Sequence, residues 1–370
     1  MSEPASPTKR WRILHSEASR GWGGQEHRVM AELRGFQQRG HEVWLIAHPE
    51  AKLVPRAREA GIGVLECAFD RKRLPLDALQ LAWWLRKQRI DIVNTHSSRD
   101  GWLLGIAARL ARVPLLIRSR HIDVSYPHPS ISKHAFTTFA DHVLTTSDKI
   151  TQHFKRIFPL TDADITTLPT GIDVKLYHPQ GNRAALPVQP GTPVVGMVSV
   201  LRSWKGHGTF FDAVRLLRDQ RRQIQFVVVG GGAEVAKFQE RANAHGVGAA
   251  VAFTGHREDV ADVLRALDVL CIPSTRHEGV PQIGLQALAC QTAVIGSQCG
   301  GIPEIIREGE TGRLFPIGDA GALAQRIIET IEQKEETERL CSRGRVLVER
   351  EHSLEVMLDK LEGLYRRYLG

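Results

Sequence analysis

The residues of this 370-residue chain best suited to chemistry stand in the stretch TRHEGVPQIGLQALA, residues 275–289. Glu278 is a loop acid able to accept from hydroxyls, Gly279 allows close backbone approach, and Pro281 suits a first helical position. Backbone N–H groups of Val280, Gln282 and about residue 283 then point at whatever binds there, and Gln286 lies one turn further in. Loop acid, free amides and an inner polar residue suit a polyhydroxylated, anionic ligand. Taken alone, the stretch reads equally well as an ordinary strand-to-helix joint. A second candidate is LRSWKGH, residues 201–207, where Lys205 beside Gly206, with Arg202 three residues earlier, offers two cations to a leaving diphosphate. A third is the loop ASRGWGGQ, whose Gly21, Gly23 and Gly24 precede a helix start and could cradle phosphate. The spacing is GWGG rather than GxGxxG, and His48 rather than an acid follows the second strand, which disfavours a dinucleotide cofactor.

The elements that must position these residues alternate. Strands are expected at Arg12–Ser16, His41–Ala47, Ile62–Ala68, Ile90–Thr95 and Leu115–Arg118, with shorter units at Ala140–Thr145 and Ile165–Leu168. Helices fall near Glu26–Arg39, Leu76–Gln88 and Trp102–Ala111. The Gly- and Pro-rich text GIDVKLYHPQGNRAALPVQPGTP reads as a linker, and the alternation then restarts from Val194. Val269–Ile272 ends at Pro273, so Glu278 leaves the carboxyl end of a buried strand, where open α/β sheets place ligands. The fold class is α/β, with two doubly wound parallel-sheet domains, one over residues 1–178 and one over 179–352, and a closing helix over 353–370 that packs back on the first.

Residues 1–178 hold 26 Lys and Arg against 18 Asp and Glu, a net +8, whereas residues 179–370 hold 23 of each. Such asymmetry turns the first half towards an anionic partner: a membrane surface, a phosphorylated lipid, or, least of the three, nucleic acid. The segment RKRLPLDALQLAWWLRKQR, residues 71–89, reads first as a helix packed on its own sheet, and its basic ends and tryptophans also suit lipid headgroups. Five scattered cysteines give neither a disulfide framework nor a zinc site. No apolar stretch reaches the roughly 18 residues that span a bilayer, and MSEPASPTKRWR lacks the core of a signal peptide, so the protein is expected in the cytoplasm, at most peripheral to the membrane. His96 and His121 each follow a strand, where an imidazole can hydrogen-bond the hydroxyl or phosphate of a bound molecule, with Arg118 and Arg120 beside them to meet a phosphate; His128, His134, His142 and His153 read as surface residues. The DxD at Asp162–Asp164 lies in a polar loop and reads as a decoy rather than a metal site.

The ordered set of GWGGQE, NTHSS, LRSWKGH, GGGAE, FTGH, EGVPQIGLQALA, GGIPE and ETGRLF resembles the retaining sugar-nucleotide glycosyltransferases of family 4, with the GT-B fold, and in wording those of lipopolysaccharide and surface-polysaccharide assembly. The resemblance implies that Glu278 is the first glutamate of an E-x7-E motif contacting the donor sugar, with Gly279, Val280, Pro281 and Gln282 around it. It implies that Lys205 neutralises the diphosphate, that Gly230, Gly231 and Gly232 turn near the nucleotide, and that Gly23 and Gly24 face the diphosphate or acceptor. It further implies same-face attack, with the donor phosphate taking the acceptor's proton, no cofactor and no metal.

Two positions depart from the family. Gln286 replaces the second glutamate, which grips the ribose; glutamine accepts one bond but has no charge for a bidentate contact. A deoxyribose donor such as a dTDP-sugar would account for this, though glutamine serving an ordinary UDP- or GDP-sugar is the simpler reading. Val200 stands where the family's arginine precedes the lysine by five residues, and Arg202 is the substitute at hand. The expected function is transfer of a sugar, with retention, to a lipopolysaccharide, cell-envelope glycolipid or oligosaccharide. The rivals are a sugar-nucleotide 2-epimerase and an inactive nucleotide-sugar-binding homologue.

Overall fold

The computed structural model describes residues 9–122, 126, 128–231 and 235–370; the tail of residues 1–8 and Gly232 lie outside it. Two compact units result, one ending at Leu168 and resuming over Met357–Gly370, the other spanning Pro169–Val356.

In the first unit, β1 (Arg12–Glu17), β2 (Glu42–Ala47), β3 (Gly63–Glu66), β4 (Ile92–Thr95), β5 (Leu115–Arg120), β6 (His142–Thr145) and β7 (Ile165–Thr167) form one sheet in the order β3-β2-β1-β4-β5-β6-β7. Every pairing is parallel. The chain winds outward from β1 in one direction and then from β4 in the other, so the order reverses between them, and crevices for ligands open at the carboxyl ends of such a pair. There the register sets His15 opposite Asn94 and Ser16 opposite Thr95. Leu14, Ile46, Val93 and Leu116 of the strands bury against Leu81, Leu85, Leu103 and Leu104 of two helices. The closing helix, Leu354–Leu369, sends Tyr365 into this unit, with its ring 5.7 Å from Trp11 and 5.3 Å from Phe36. Arg39 meets Asp359 at 2.8 Å and Glu362 at 3.0 Å.

The second unit repeats the winding with β8 (Val194–Val198), β9 (Gln225–Val229), β10 (Val251–Gly255), β11 (Val269–Ile272), β12 (Ala293–Ser297) and β13 (Arg313–Phe315), in the order β10-β9-β8-β11-β12-β13, again all parallel. Alternate residues feed two cores. Val195, Phe226, Val228, Val269 and Cys271 face one, and Val194, Val227, Val229, Leu270 and Ile272 face the other. Strands apolar on both faces must be covered on both faces. The order reverses between β8 and β11, and the candidate loops Leu201–His207 and Thr275–Pro281 leave those two strands.

Three expectations need correction. The first unit ends at Leu168, not His178, because residues 169–178 are tied into the second: Ile172 bridges to Ser353, and the Arg345 guanidinium binds the carbonyls of Val174 and Tyr177. Pro281 is the extended residue before the Gln282–Ala289 helix rather than its first turn. His142 is buried, bonded to Thr166 Oγ1 at 2.9 Å and Tyr368 Oη at 3.1 Å, because the closing helix covers β6. All five cysteines are free thiols.

Candidate functional site

In the second unit two strand-end loops are locked together. Gly206 has φ +78°, and a Cβ there would lie 1.7 Å from the Pro273 carbonyl oxygen, so only glycine lets the loop after β8 lie on the end of β11. Thr275 N–H and Oγ1 both donate to the Trp204 carbonyl, at 2.8 Å and 3.2 Å. The result is a close pair: Lys205 Nζ donates to both carboxylate oxygens of Glu278 at 2.9 Å. Glu278 is buried, and behind it the GGIPE turn folds over, with Gly301 N–H donating to the Glu278 carbonyl at 3.2 Å. A Cβ on Gly300, whose φ is +59°, would stand 2.0 Å from that same carbonyl oxygen.

The remaining donor-side expectations fall around this pair in different ways. Gly279, Val280 and Pro281 are buried, and the first amides of the Gln282–Ala289 helix have no acceptor within it. Gln282 and Gln286 are half-buried on its outer side, while Gly284, Leu285, Ala287 and Leu288 face the core. Gln286 makes no side-chain hydrogen bond among the described residues. Arg202 is exposed, its guanidinium 5.6 Å over the Trp204 ring, so it stacks beside the loop and pairs with no described acid. Gly230 has φ +159° and a virtual Cβ 1.9 Å from the Ser199 carbonyl oxygen, which brings the ends of β8 and β9 together, and Gly231 abuts His256. Buried His207 next to Gly206 is pushed down to about 4 by burial, then by the Arg241 and Lys205 charges, and is neutral.

In the first unit the histidines form a row. His121 Nε2 meets His96 Nδ1 at 2.9 Å, His96 Nε2 meets His15 Nδ1 at 2.9 Å, and the rings stack with centroids 5.2 Å apart. His15 Nδ1 lies 3.7 Å from Glu32 Oε2, and Glu32 Oε1 accepts from Arg28 Nε at 2.6 Å. Burial above all, with neighbouring cations, holds His96 and His121 well below the usual imidazole range, and His15 is lowered too. The three rings are therefore neutral. The Glu32 carboxylate favours a proton on His15 Nδ1, and one proton per ring then runs outward: His15 donates to His96, and His96 to His121. His96, expected to touch an acceptor, has both ring nitrogens engaged inside the unit and is 1% exposed; half-buried His121 is the outer end of the row. His15, Glu32 and His96 are also the described group whose ligand atoms, within 4.8 Å of one another, are spaced for a metal, but the His–His bond and the Arg28 guanidinium already engage those atoms.

The glycine loop is likewise capped from within. Gly23 N–H donates to Glu26 Oε2 at 2.8 Å and Gly21 N–H to Ser19 Oγ at 3.1 Å, so these are not bare amides; Gly24 opens the Gly24–Gln38 helix. Sequence reasoning missed the acid next to it. Glu17 ends β1 fully buried, accepting from Ser19 N–H at 2.8 Å and from the Gln25 side chain. Burial first, then the Asp100 carboxylate, pushes its carboxyl up to about 8, so it carries a proton at neutral pH. A depression of about 320 Å³ lies over it, lined also by Ser19, Gln25, Glu26, Ser97 and Arg99. Its one advance signal was position: the last residue of the first strand, before the glycine loop. Arg118 and Arg120 are buried on β5, over the rings of Phe136 and Tyr126, with no described ion pair; burial lowers Arg118 to about 10. Asp162 pairs with Lys155, and Asp164 accepts from Thr161, so the DxD is committed to its own turn.

Two parallel sheets, each doubly wound, with basic and acidic strand-end loops clasped at the reversal of the second, place the chain in the GT-B fold class. Residues 22–176 match the family described as Glycosyltransferase Family 4, and residues 180–346 match Glycosyl transferases group 1. A D-inositol 3-phosphate glycosyltransferase of Corynebacterium jeikeium is 30% identical over 65% of this chain and 64% of its own length, somewhat under two thirds of that relative. A phosphatidyl-myo-inositol mannosyltransferase of Mycobacterium tuberculosis is 24% identical over 94% of each chain. The crystal structure of Anabaena HepE with UDP and glucose superposes with a TM-score of 0.82 at 19% identity, over 97% of this chain and 100% of that one. The chain belongs to the family 4 glycosyltransferases.

Proposed function

We propose that the protein transfers a sugar, with retention, from a nucleotide-sugar donor held by the second unit to a cell-envelope glycolipid or oligosaccharide, including the lipopolysaccharide type, received by the first. The observation that carries the reading is the Lys205–Glu278 clasp at the sheet's reversal point. As the sugar–phosphate bond lengthens, positive charge grows on the anomeric carbon and negative charge on the diphosphate. A fixed cation beside the leaving oxygens and a buried carboxylate facing the sugar's hydroxyls match that separation. In this reading Lys205 turns from Glu278 to the diphosphate when donor binds, first-turn amides near Gln282 complete its shell, and Gln286 accepts from the ribose. Same-face attack follows, with the donor phosphate taking the acceptor's proton, so no metal or other cofactor takes part. His121, backed by His96 and His15, and the cations Arg118 and Arg120 are assigned to the acceptor side.

Glycolipid acceptors fit the basic first half, and the mycobacterial relative is named for a phosphatidyl-inositol acceptor. No described helix is long and apolar enough to cross a membrane, so contact with lipid is peripheral in this reading. Thermal shift and donor hydrolysis over UDP-, GDP- and dTDP-sugars, with the parent and Glu278→Ala, test it. Stabilisation by one nucleotide, with slow sugar release that the substitution and not EDTA abolishes, is expected. Binding without turnover, even with glycolipid extracts supplied, would leave an inactive homologue; an epimerised donor without acceptor would mark a 2-epimerase.

A further inference from the structure

The Leu74–Lys87 helix is apolar on two sides and has a partner on only one. Ala78, Leu81, Ala82 and Leu85 enter the core of the first unit. Leu76, Leu79 and Trp83 point away from it and are 52%, 61% and 64% exposed, the largest such row among the described residues. Positions i, i+3 and i+7 stand one above another on a helix surface, so these three form a continuous ridge rather than scattered contacts. The two adjacent tryptophans differ. Trp84 turns inward, edge-on to Trp44 at 6.5 Å, and the ring contact of Trp83 among the described residues is Lys87 Nζ at 5.0 Å.

Cations close the ridge at both ends. Lys72 and Arg73 precede it, Arg86, Lys87 and Arg89 follow it, and all five are exposed. Against them stands one acid of the helix, Asp77, 3.5 Å from Arg73. Arg86 donates to the Leu110 carbonyl at 2.6 Å, which fixes the helix against the neighbouring Ser98–Ala111 helix, so the ridge is presented on a rigid support.

An apolar ridge with an indole and a basic rim matches one partner in particular. The indole sits at headgroup depth, leucines enter the acyl boundary, and each Lys or Arg near an anionic surface adds attraction that salt screens. A second copy of the chain would set five cations against five, and protein interfaces deplete lysine at their centres. We propose that the Leu74–Lys87 helix is a lipid-docking surface, which lays Leu76, Leu79 and Trp83 into the headgroup layer of an anionic bilayer. The proposal deepens the peripheral contact of the preceding reading and rests on it for its purpose, but lipid binding is measurable with no donor present.

The test is flotation with phosphatidylcholine vesicles, with and without phosphatidylglycerol, using the parent, Leu79→Ser/Trp83→Ser and Lys87→Glu. These positions are exposed, so folding is preserved, which circular dichroism verifies. The parent is expected to float with anionic vesicles only, release at high salt, and show a blue-shifted emission that Trp83→Phe removes. Each variant is expected to bind about tenfold more weakly or less. Transfer to glycolipid in those vesicles falls with binding, while donor hydrolysis stays at the parent's rate. Equal flotation of parent and double variant overturns the assignment to this helix while leaving membrane contact standing. Flotation of neither overturns both. A lipid-free dimer that the double variant dissolves would give the ridge to a second copy and overturn the proposal.

Discussion

Glu17 lies fully buried at the end of β1 with its carboxyl pushed from 4.5 up to about 8, which makes stability depend on pH in a definite direction. Between those values the folded chain holds a proton that the unfolded chain has released, so this contribution is complete below pH 4.5 and is lost as pH rises through about 8. Glu17→Gln, which stays neutral, is therefore expected to stabilise the protein at pH 8.5 by on the order of 1–3 kcal/mol and by almost nothing at pH 4.5. Thermal unfolding at the two pH values reads the difference, and equal shifts at both would refute the protonated carboxyl. Lys205→Ala is expected to lower sugar transfer by about 10²–10³ in kcat, because it removes the charge beside the leaving group. Arg202→Ala, which unstacks a guanidinium from Trp204, should cost far less; a larger loss than Lys205→Ala would transfer the diphosphate role to Arg202. The Lys205–Glu278 meeting was legible in the sequence because both residues follow apolar runs that end strands. The engagement of His96 was not, since it depends on β1 lying beside β4, a neighbour it acquires only after two other strands have formed. Nor could composition show that Glu17 would be dry.

Elements hold the site through backbone contacts that side chains would obstruct. At Gly206 a methyl group meets both a left-handed backbone and the Pro273 carbonyl at 1.7 Å, whereas at Gly246, φ +73°, nothing lies within 4 Å. Gly246→Ala is expected to cost about 1 kcal/mol from backbone strain alone. Gly206→Ala must also part the loops after β8 and β11, so it should cost at least about 2 kcal/mol more and weaken nucleotide binding with it. Chemical denaturation of both variants compares them, and similar costs would mean that the two loops are not in contact in solution. At this scale the strands were readable, because short apolar runs bounded by Gly, Pro and Asp repeat down the chain, and Val269–Ile272 came out with the expected ends. Several helices were overlooked, the two longest being Leu53–Glu59 and Asp148–Ile157. Leu53–Glu59 carries Pro55 and three basic or acidic residues in seven, which blurs its period. Asp148–Ile157 did carry a signal: Ser147 Oγ accepts from Ile150 N–H at 3.2 Å as an N-cap, and Ile150 and Phe154 are a helical repeat apart.

For the molecule as a whole, alternation of strand and helix announced two doubly wound sheets, and charge partition announced which half is basic. The dividing residue was hidden, because the ties that assign residues 169–178 come from positions far along the chain, Ser353 and Arg345. The closing helix makes the same point about distant sequence, since the first unit's core is incomplete until the last residues of the chain arrive. Tyr365 fills the space between Trp11 and Phe36 and is fully buried, yet its hydroxyl has no hydrogen-bond partner among the described residues, and burial holds it well above the usual phenol range. Its ring and its hydroxyl therefore act in opposite directions. Tyr365→Ala opens a cavity in an aromatic cluster and is expected to cost about 3–5 kcal/mol. Tyr365→Phe keeps the ring and removes an unsatisfied polar atom, so it is expected to be neutral or stabilising by up to about 1 kcal/mol. Equilibrium unfolding of the two variants separates the contributions: if phenylalanine costs as much as alanine, the hydroxyl is bonded through water and the aromatic packing is not what joins the chain's end to its beginning.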